Sequence, residues 1–176
     1  MKCTLENLKE RRSVRGYTDE LVPEETLDKI LEAGLYAASP RQDTVLIAVQ
    51  DPETVATLKK LNAKIVEEQR GEPASDPYYG APTIIAVIAK KDSSCAVYNG
   101  SLVLGNLMNA AHALGVSSCW IHRAKEVFEL DEGKALLKKW GLENEYIGIG
   151  NLALGYPSGD YPVAQPRDEK RVIKIL

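Results

Sequence analysis

Apolar positions along the chain follow two rhythms, one helical and one strand-like, and segments of the two kinds alternate from the N-terminus onward. Residues 4–12 suit a short helix with Thr4 as N-cap, ending at a run of arginines. In "PEETLDKILEAGLYAA", Leu27, Ile30, Leu31 and Leu35 share one face, Pro23 suits the first helical position and acids fill the first turn. The pattern there predicts an amphipathic helix. "TVLIAVQ" at 44–50 is a compact β-branched run of the kind that forms a buried strand. Asp51 and Pro52 then serve as N-cap and first residue of a helix carrying Val55, Leu58, Leu61 and Ile65.

The next stretch, "GEPASDPYYGAP" at 71–82, holds three prolines and two glycines, a composition that fits a mobile loop or lid. "TIIAVIAK" predicts a second buried strand. "NGSLVLGNLMNAAHALG" is apolar over more than one stripe, so its helix is buried on more than one side, in the core or at a subunit interface. After it come the extended "VSSCWIHRA", the helical "EVFELDEGKALLKKWG", the strand "EYIGIGNLALGYP" and a terminal strand or arm, "KRVIKIL". Strands alternating with helices in one chain of 176 residues predict a single domain over 1–176, a three-layer α/β or α+β fold.

"GIGNLA" fits the dinucleotide pattern G-x-G-x-x-G/A, but its glycines lie inside an apolar strand and no helix can follow in "LGYPSGDYP". Gly148 and Gly150 instead mark close approach of another backbone or a flat ligand. The net charge of -3 argues against general nucleic-acid or acidic-membrane binding, so any anion site is local. Three cysteines without CxxC spacing suggest neither a disulfide framework nor a zinc site, and read as reduced thiols. The N-terminal residues lack the apolar core of a signal peptide, and no apolar run approaches a membrane span. Both points predict a soluble, cytoplasmic protein.

Candidate chemistry gathers in "KERRSVRGY". Arg11, Arg12, Ser13 and Arg15 offer guanidinium forks, a hydroxyl and turn amides, the donors a phosphate monoester needs. The bland alternative is a solvated helix end whose arginines complement the helix dipole. Arg167, in "AQPRDEKR", could close the same site or stand on an exposed tail. Of the two histidines, His112 falls on the broad apolar helix and His122 at the exit of an extended piece where backbone amides can face a cleft. No acid pair, nucleophile elbow or metal-ligand spacing stands out. Anion-holding groups and apolar walls without an evident acid, base or nucleophile suit a flavin enzyme, whose cofactor carries the chemistry.

Taken together the motifs resemble the FMN-dependent nitroreductase superfamily. "ERRSVRGY" is similar to its R-R-S-x-R-x-[FY], "GAPTIIAVIA" to its G-A-P strand, "GNLMNAAHALGVSSCWI" to its Q-N-x-x-L-A-A-x-A-L-G-x-G-[ST]-C-W-I block, and "ALGYP" and Pro166-Arg167 to its closing L-G-Y-P and K-P-R. The resemblance implies an α+β, three-layer α/β/α fold with a mixed central sheet, and a homodimer with one FMN per protomer at the subunit interface. It implies Arg11, Arg12 and Ser13 near the FMN phosphate and ribityl chain, Arg15 by the pyrimidine edge, and Arg167 again at the phosphate. It places Trp120 and Ile121 beside the ring and the backbone amides of His122 and Arg123 near its N5 edge. The motif that reaches the partner's flavin is here "ASPRQDTVL", which offers Ser39, Pro40, Arg41 and Gln42; Gln42 matches either the glutamine or, after a two-residue shift, the asparagine of that motif. Gly105 stands at the family glutamine and Arg123 at the family glycine after W-I-x. The implied activity is ping-pong hydride transfer from NAD(P)H through FMN to a nitroaromatic, quinone or similar acceptor. Reductive dehalogenation on the same scaffold, or flavin binding without turnover, are the rivals.

Overall fold

The computed structural model describes residues 3–142 and 145–176, so the first two residues of the N-terminal segment read above lie outside it. In chain order the elements are α1 (Thr4–Glu10), α2 (Glu24–Leu35), β1 (Thr44–Val49), α3 (Pro52–Arg70), β2 (Thr83–Lys90), α4 (Ala96–Ala113), β3 (Ser117–Ile121), α5 (Ala124–Glu129), α6 (Asp131–Lys139) and β4 (Tyr146–Gly155), with a 3-10 turn at Glu169–Arg171. The strands form one sheet in the order β1-β2-β4-β3. All three pairings are antiparallel. The parallel component of the expected mixed sheet is a single bridge, Ser13 to Ser118, where the arginine segment lies along the free edge of β3.

Three layers follow from the alternation along β2. Ile84, Ala86 and Ile88 face one cluster with Val55, Leu58, Leu61 and Ile65 of α3 and with Val127, Phe128 and Leu137 of α5 and α6. Ile85 and Val87 face the other, with Leu27 and Ile30 of α2 and Val103, Leu104 and Leu107 of α4. Each side chain fully buried in this way contributes roughly 1.5–3 kcal/mol. Burial on both faces explains why β2 is apolar at nearly every position rather than at alternate ones.

Several local expectations change. Thr4 is the first helical residue of α1 and Cys3 holds the cap position, without a side-chain cap. Pro23 sits at the N-cap of α2 rather than inside it. Asp51 caps α3 as expected, accepting from the Thr54 amide at 2.8 Å. β1 is an edge strand and only half-buried, because no strand among the described residues pairs beyond it. The helix expected over 126–141 is broken at Leu130, whose extended backbone (φ -68°, ψ 153°) separates α5 from α6. "KRVIKIL" is an exposed arm with one 3-10 turn, not a strand of the sheet.

The glycines of "GIGNLA" serve packing. A Cβ on Gly148 would collide with the Ala124 carbonyl, and one on Gly150 would lie 2.6 Å from the Trp120 indole nitrogen. One glycine admits the α5 backbone and the other an aromatic ring, and neither turns toward a helix.

Candidate functional site

Only Arg11 of the arginine cluster belongs to a helix end, as the C-cap of α1 with its N–H donating to Asn7 O at 3.1 Å. α1 stops at Glu10, Arg11 turns extended (φ -56°, ψ 133°), and Val14 N–H donates to the Ser118 carbonyl at 3.1 Å. The chain then threads between two loops: Tyr17 N–H donates to Tyr79 O at 3.2 Å, Thr18 N–H to Tyr156 O at 2.9 Å, and Ser158 N–H returns to Gly16 O at 3.1 Å. The buried Tyr17 hydroxyl donates to Val14 O at 2.9 Å, and burial drives its pKa well above the usual phenol value. Residues distant in sequence are thereby locked side by side.

Extended backbone sends successive side chains to opposite sides. Arg11, Ser13 and Arg15 act together at Cys119: burial raises that thiol's pKa, and Arg15, a Ser13 hydrogen bond and Arg11 oppose the rise. Arg12 faces elsewhere, lining a cavity of about 600 Å³ with Glu10, His112 and Tyr161. Its backbone N–H donates to the Tyr161 hydroxyl at 2.8 Å, and that hydroxyl lies 3.2 Å from His112 Nδ1. His112 is thus a helix-flank residue stacked on Tyr161, with ring centroids 5.7 Å apart. Ser13 and Arg15 line a separate cavity of about 260 Å³ with residues of the 157–162 loop. Arg11 Nη1 and Arg12 Nε are buried without a hydrogen-bond partner among the described residues, as is Trp120 Nε1. A buried guanidinium nitrogen without an acceptor is costly, so these atoms call for an external oxygen ligand.

β3 delivers Trp120, Ile121, His122 and Arg123 to the neighbouring wall. Ile121 is buried toward α3 and α5, whereas Trp120 packs toward α4. The strand ends where Asn62 Nδ2 of α3 donates to His122 O at 2.8 Å. Arg123 follows in the left-handed region, at φ 74° and ψ 17°. Trp120, His122 and Arg123 line a cavity of about 320 Å³ closed on its other side by the 71–82 loop.

That loop is irregular, as its composition implies, but it is pinned rather than loose from Asp76 onward. Asp76 accepts from Tyr78 N–H and Gly80 N–H, both at 2.8 Å, and pairs with Lys59 at 3.2 Å. Tyr78 is fully buried, its hydroxyl accepting from Asn151 Nδ2 at 2.8 Å.

Two groups of expected residues lie apart from this wall. Ser39, Pro40, Arg41 and Gln42 form the turn before β1, with Gln42 N–H donating to Ser39 Oγ at 3.1 Å. β1 and β3 are opposite edges of the sheet, three strand spacings or about 14 Å apart. Arg167 is exposed on the C-terminal arm, with no hydrogen bond or ion pair to the cluster among the described residues. Asn106 is structural, donating to Ala33 O at 3.0 Å and tying α4 to α2.

Residues 8–156 match the sequence pattern of the Nitroreductase family. The chain belongs to the nitroreductase family. Among relatives, an FMN reductase [NAD(P)H] of Bacillus subtilis is 27% identical over 95% of this chain and 70% of its own length. Among solved structures, a nitroreductase with bound FMN from Bacteroides fragilis superposes over 100% of both chains, with a TM-score of 0.85 and 28% identity. An FMN-dependent nitroreductase from Clostridium difficile covers 97% of this chain and 98% of its own, with a TM-score of 0.78 and 26% identity.

For a nitroreductase-family chain, three positioning residues escape a motif-based reading: Asn62, Tyr78 and Asn151. Asn62 fixes the exit of β3, and Tyr78 with Asn151 fixes the 71–82 loop. The signal for two of them is present in the sequence as an amide within an apolar stripe, at Asn62 in α3 and Asn151 in β4. A buried amide is retained only where it finds a partner.

Proposed function

We propose that this chain is a single-domain NAD(P)H-dependent FMN oxidoreductase, working as a cytoplasmic homodimer on small electron-poor acceptors. The observation that carries the reading is the buried, unpartnered guanidinium nitrogen Arg11 Nη1, on the same side of the segment as Ser13 and Arg15. Phosphate oxygens satisfy such donors with charge-assisted bonds of roughly 1.5–3 kcal/mol each. Arg11 and Ser13 hold the phosphate end, and Arg15, without a carboxylate partner among the described residues, sits at the pyrimidine edge, where its charge favours a reduced, anionic ring. Trp120 and Ile121 border the ring, and the backbone at His122 and Arg123 approaches its reactive edge. Arg167 adds a further phosphate cation from the arm. Bound FMN would supply the redox chemistry, two-electron exchange between NAD(P)H and a nitroaromatic, quinone or similar acceptor, while these residues would hold and orient it.

Dimerisation is supported by apolar surface that one chain leaves uncovered. On α4, Val97, Tyr98 and Leu102 remain 59%, 72% and 51% exposed, and on α1 Leu5 and Leu8 are exposed as well. Ile173 and Ile175 of the arm are 85% and 95% exposed, and the open, half-buried edge of β1 is a surface on which a second copy's arm fits. In that assembly Ser39, Pro40, Arg41 and Gln42, too far from their own chain's wall, serve the partner's site. Cys3, Cys95 and Cys119 are free thiols, which suits a reducing compartment. No described helix is long and apolar enough to cross a membrane.

The test is one spectrum. Purified protein should be yellow, with bands near about 370 and 450 nm from bound flavin, and should bleach anaerobically with NADH or NADPH and recover with a quinone. A colourless protein that ignores added FMN overturns the proposal.

A further inference from the structure

Arg123 keeps a long cationic side chain in a left-handed backbone conformation (φ 74°, ψ 17°) that glycine enters freely and other residues resist. Strain of this kind persists where the surroundings enforce it and concentrates at ligand clamps. Here the side chain is held as well as the backbone: Arg123 Nε donates to Gln69 Oε1 of α3 at 2.9 Å. One edge of the fork is thus used for positioning, and the terminal nitrogens stay available at the cavity of about 320 Å³ that Trp120 and His122 also line.

The carboxylates around that cavity, Glu72 excepted, are engaged by other groups. Asp76 borders it, but its oxygens already accept from Tyr78 N–H and Gly80 N–H and pair with Lys59. Arg70, at the end of α3, is a second cation on the same rim; Glu72 is exposed at the start of the loop, and Glu67 accepts from Ala74 N–H of the loop at 3.1 Å. Neither Arg70 nor Arg123 has an ion pair among the described residues. Two guanidinium groups at the mouth of a concave site focus positive potential and present bidentate geometry to an oxyanion.

We propose that Arg123, oriented by Gln69 and assisted by Arg70, is a specificity-determining residue that binds an oxyanion on the molecule reacting at the Trp120–Arg123 wall. The oxyanion is a carboxylate on the electron acceptor or a phosphate of the nicotinamide donor. This assignment rests on the flavin-reductase reading above, and it adds what that reading leaves open, the charge of the preferred substrate.

The experiment compares wild type with Arg123→Gly, Arg123→Lys and Arg70→Ala, all loaded with FMN. Benzoate binding to the oxidised protein is titrated by calorimetry, which needs no turnover. In kinetics, kcat/KM is measured for 4-nitrobenzoate and its methyl ester, and for NADPH and NADH. Arg123→Gly should weaken benzoate binding about tenfold, the size expected of one lost charge-assisted hydrogen bond, and lower the nitrobenzoate-to-ester ratio about as much through KM. Arg123→Lys should restore part of that ratio, and Arg70→Ala should shift it less, in the same direction. A loss seen with the nicotinamide donors and not with nitrobenzoate assigns the oxyanion to the donor's phosphates instead. Because glycine relieves the left-handed strain, the melting temperature should hold or rise by about 2–4 °C. A lower melting temperature with unchanged benzoate affinity and unchanged ratios makes Arg123 purely structural and overturns the proposal. A protein that still bleaches with NAD(P)H in that case leaves the flavin reading standing. A protein that never binds flavin overturns the flavin reading, and the benzoate titration then decides the anion site alone.

Discussion

Arg11 and Arg12 are neighbours in sequence and yet serve different surfaces. The segment is extended, so Arg11, Ser13 and Arg15 converge on the Cys119 side of the chain while Arg12 turns to His112 and Tyr161. The excess of charge is plain in "KERRSVRGY", but which arginine faces which cavity depends on the pairing of Val14 with Ser118, more than 100 residues away. Arg11→Ala removes the donor with the unmet Nη1, and FMN affinity should fall by about 1.5–3 kcal/mol, roughly ten- to a hundredfold in Kd, measured by flavin fluorescence. An unchanged Kd would show that Arg11 does not meet the phosphate. Arg123 carries a related lesson: the residue type is visible in the chain, and its left-handed backbone is not.

At the scale of elements, the sequence pattern located every strand of the sheet, because apolar β-branched runs between turn residues have few other uses. Their order across the sheet was not legible. "TVLIAVQ" and "TIIAVIAK" look alike, but β2 is central and wholly apolar in its surroundings, while β1 is an edge. The turn before β1 is held by Asp43, which accepts from Asn99 Nδ2 at 2.9 Å and from Ser39 Oγ at 3.5 Å. Hydrogen bonding, foremost from Ser93, holds its carboxyl below the usual range despite burial. A carboxyl whose folded pKa is lowered stabilises the fold above its unfolded pKa, about 3.9, and loses that contribution as pH falls through the lower folded value. Asp43→Asn should therefore melt below wild type from pH 5 upward, with the gap closing as the pH drops below about 4. A gap in melting temperature that stays constant into strong acid would mean that the carboxylate charge is not what holds this turn.

For the whole molecule, the governing feature is apolar surface with no partner in its own chain. α4 reads in sequence as a helix buried on more than one side, and a single chain covers one side only, leaving Val97, Tyr98 and Leu102 in solvent. Sedimentation should give twice the chain mass. Replacing Tyr98 and Leu102 together by aspartate should yield single chains with flavin lost, and since both side chains are exposed, the isolated fold should survive. A native protein sedimenting as one chain, or a doubly substituted one that still pairs, would refute this use of α4. The sequence by itself determined the elements, the two-sided burial of β2 and the supply of donors for an anion, because periodicity and residue chemistry act locally. Tertiary structure alone decided that the first arginines lie along β3, that Asn62 and Tyr78 fix the loops, and that the 39–42 turn sits on the far edge of the sheet. Those facts depend on contacts between residues distant in the chain, and strand order and side-chain direction leave no local trace in composition or spacing.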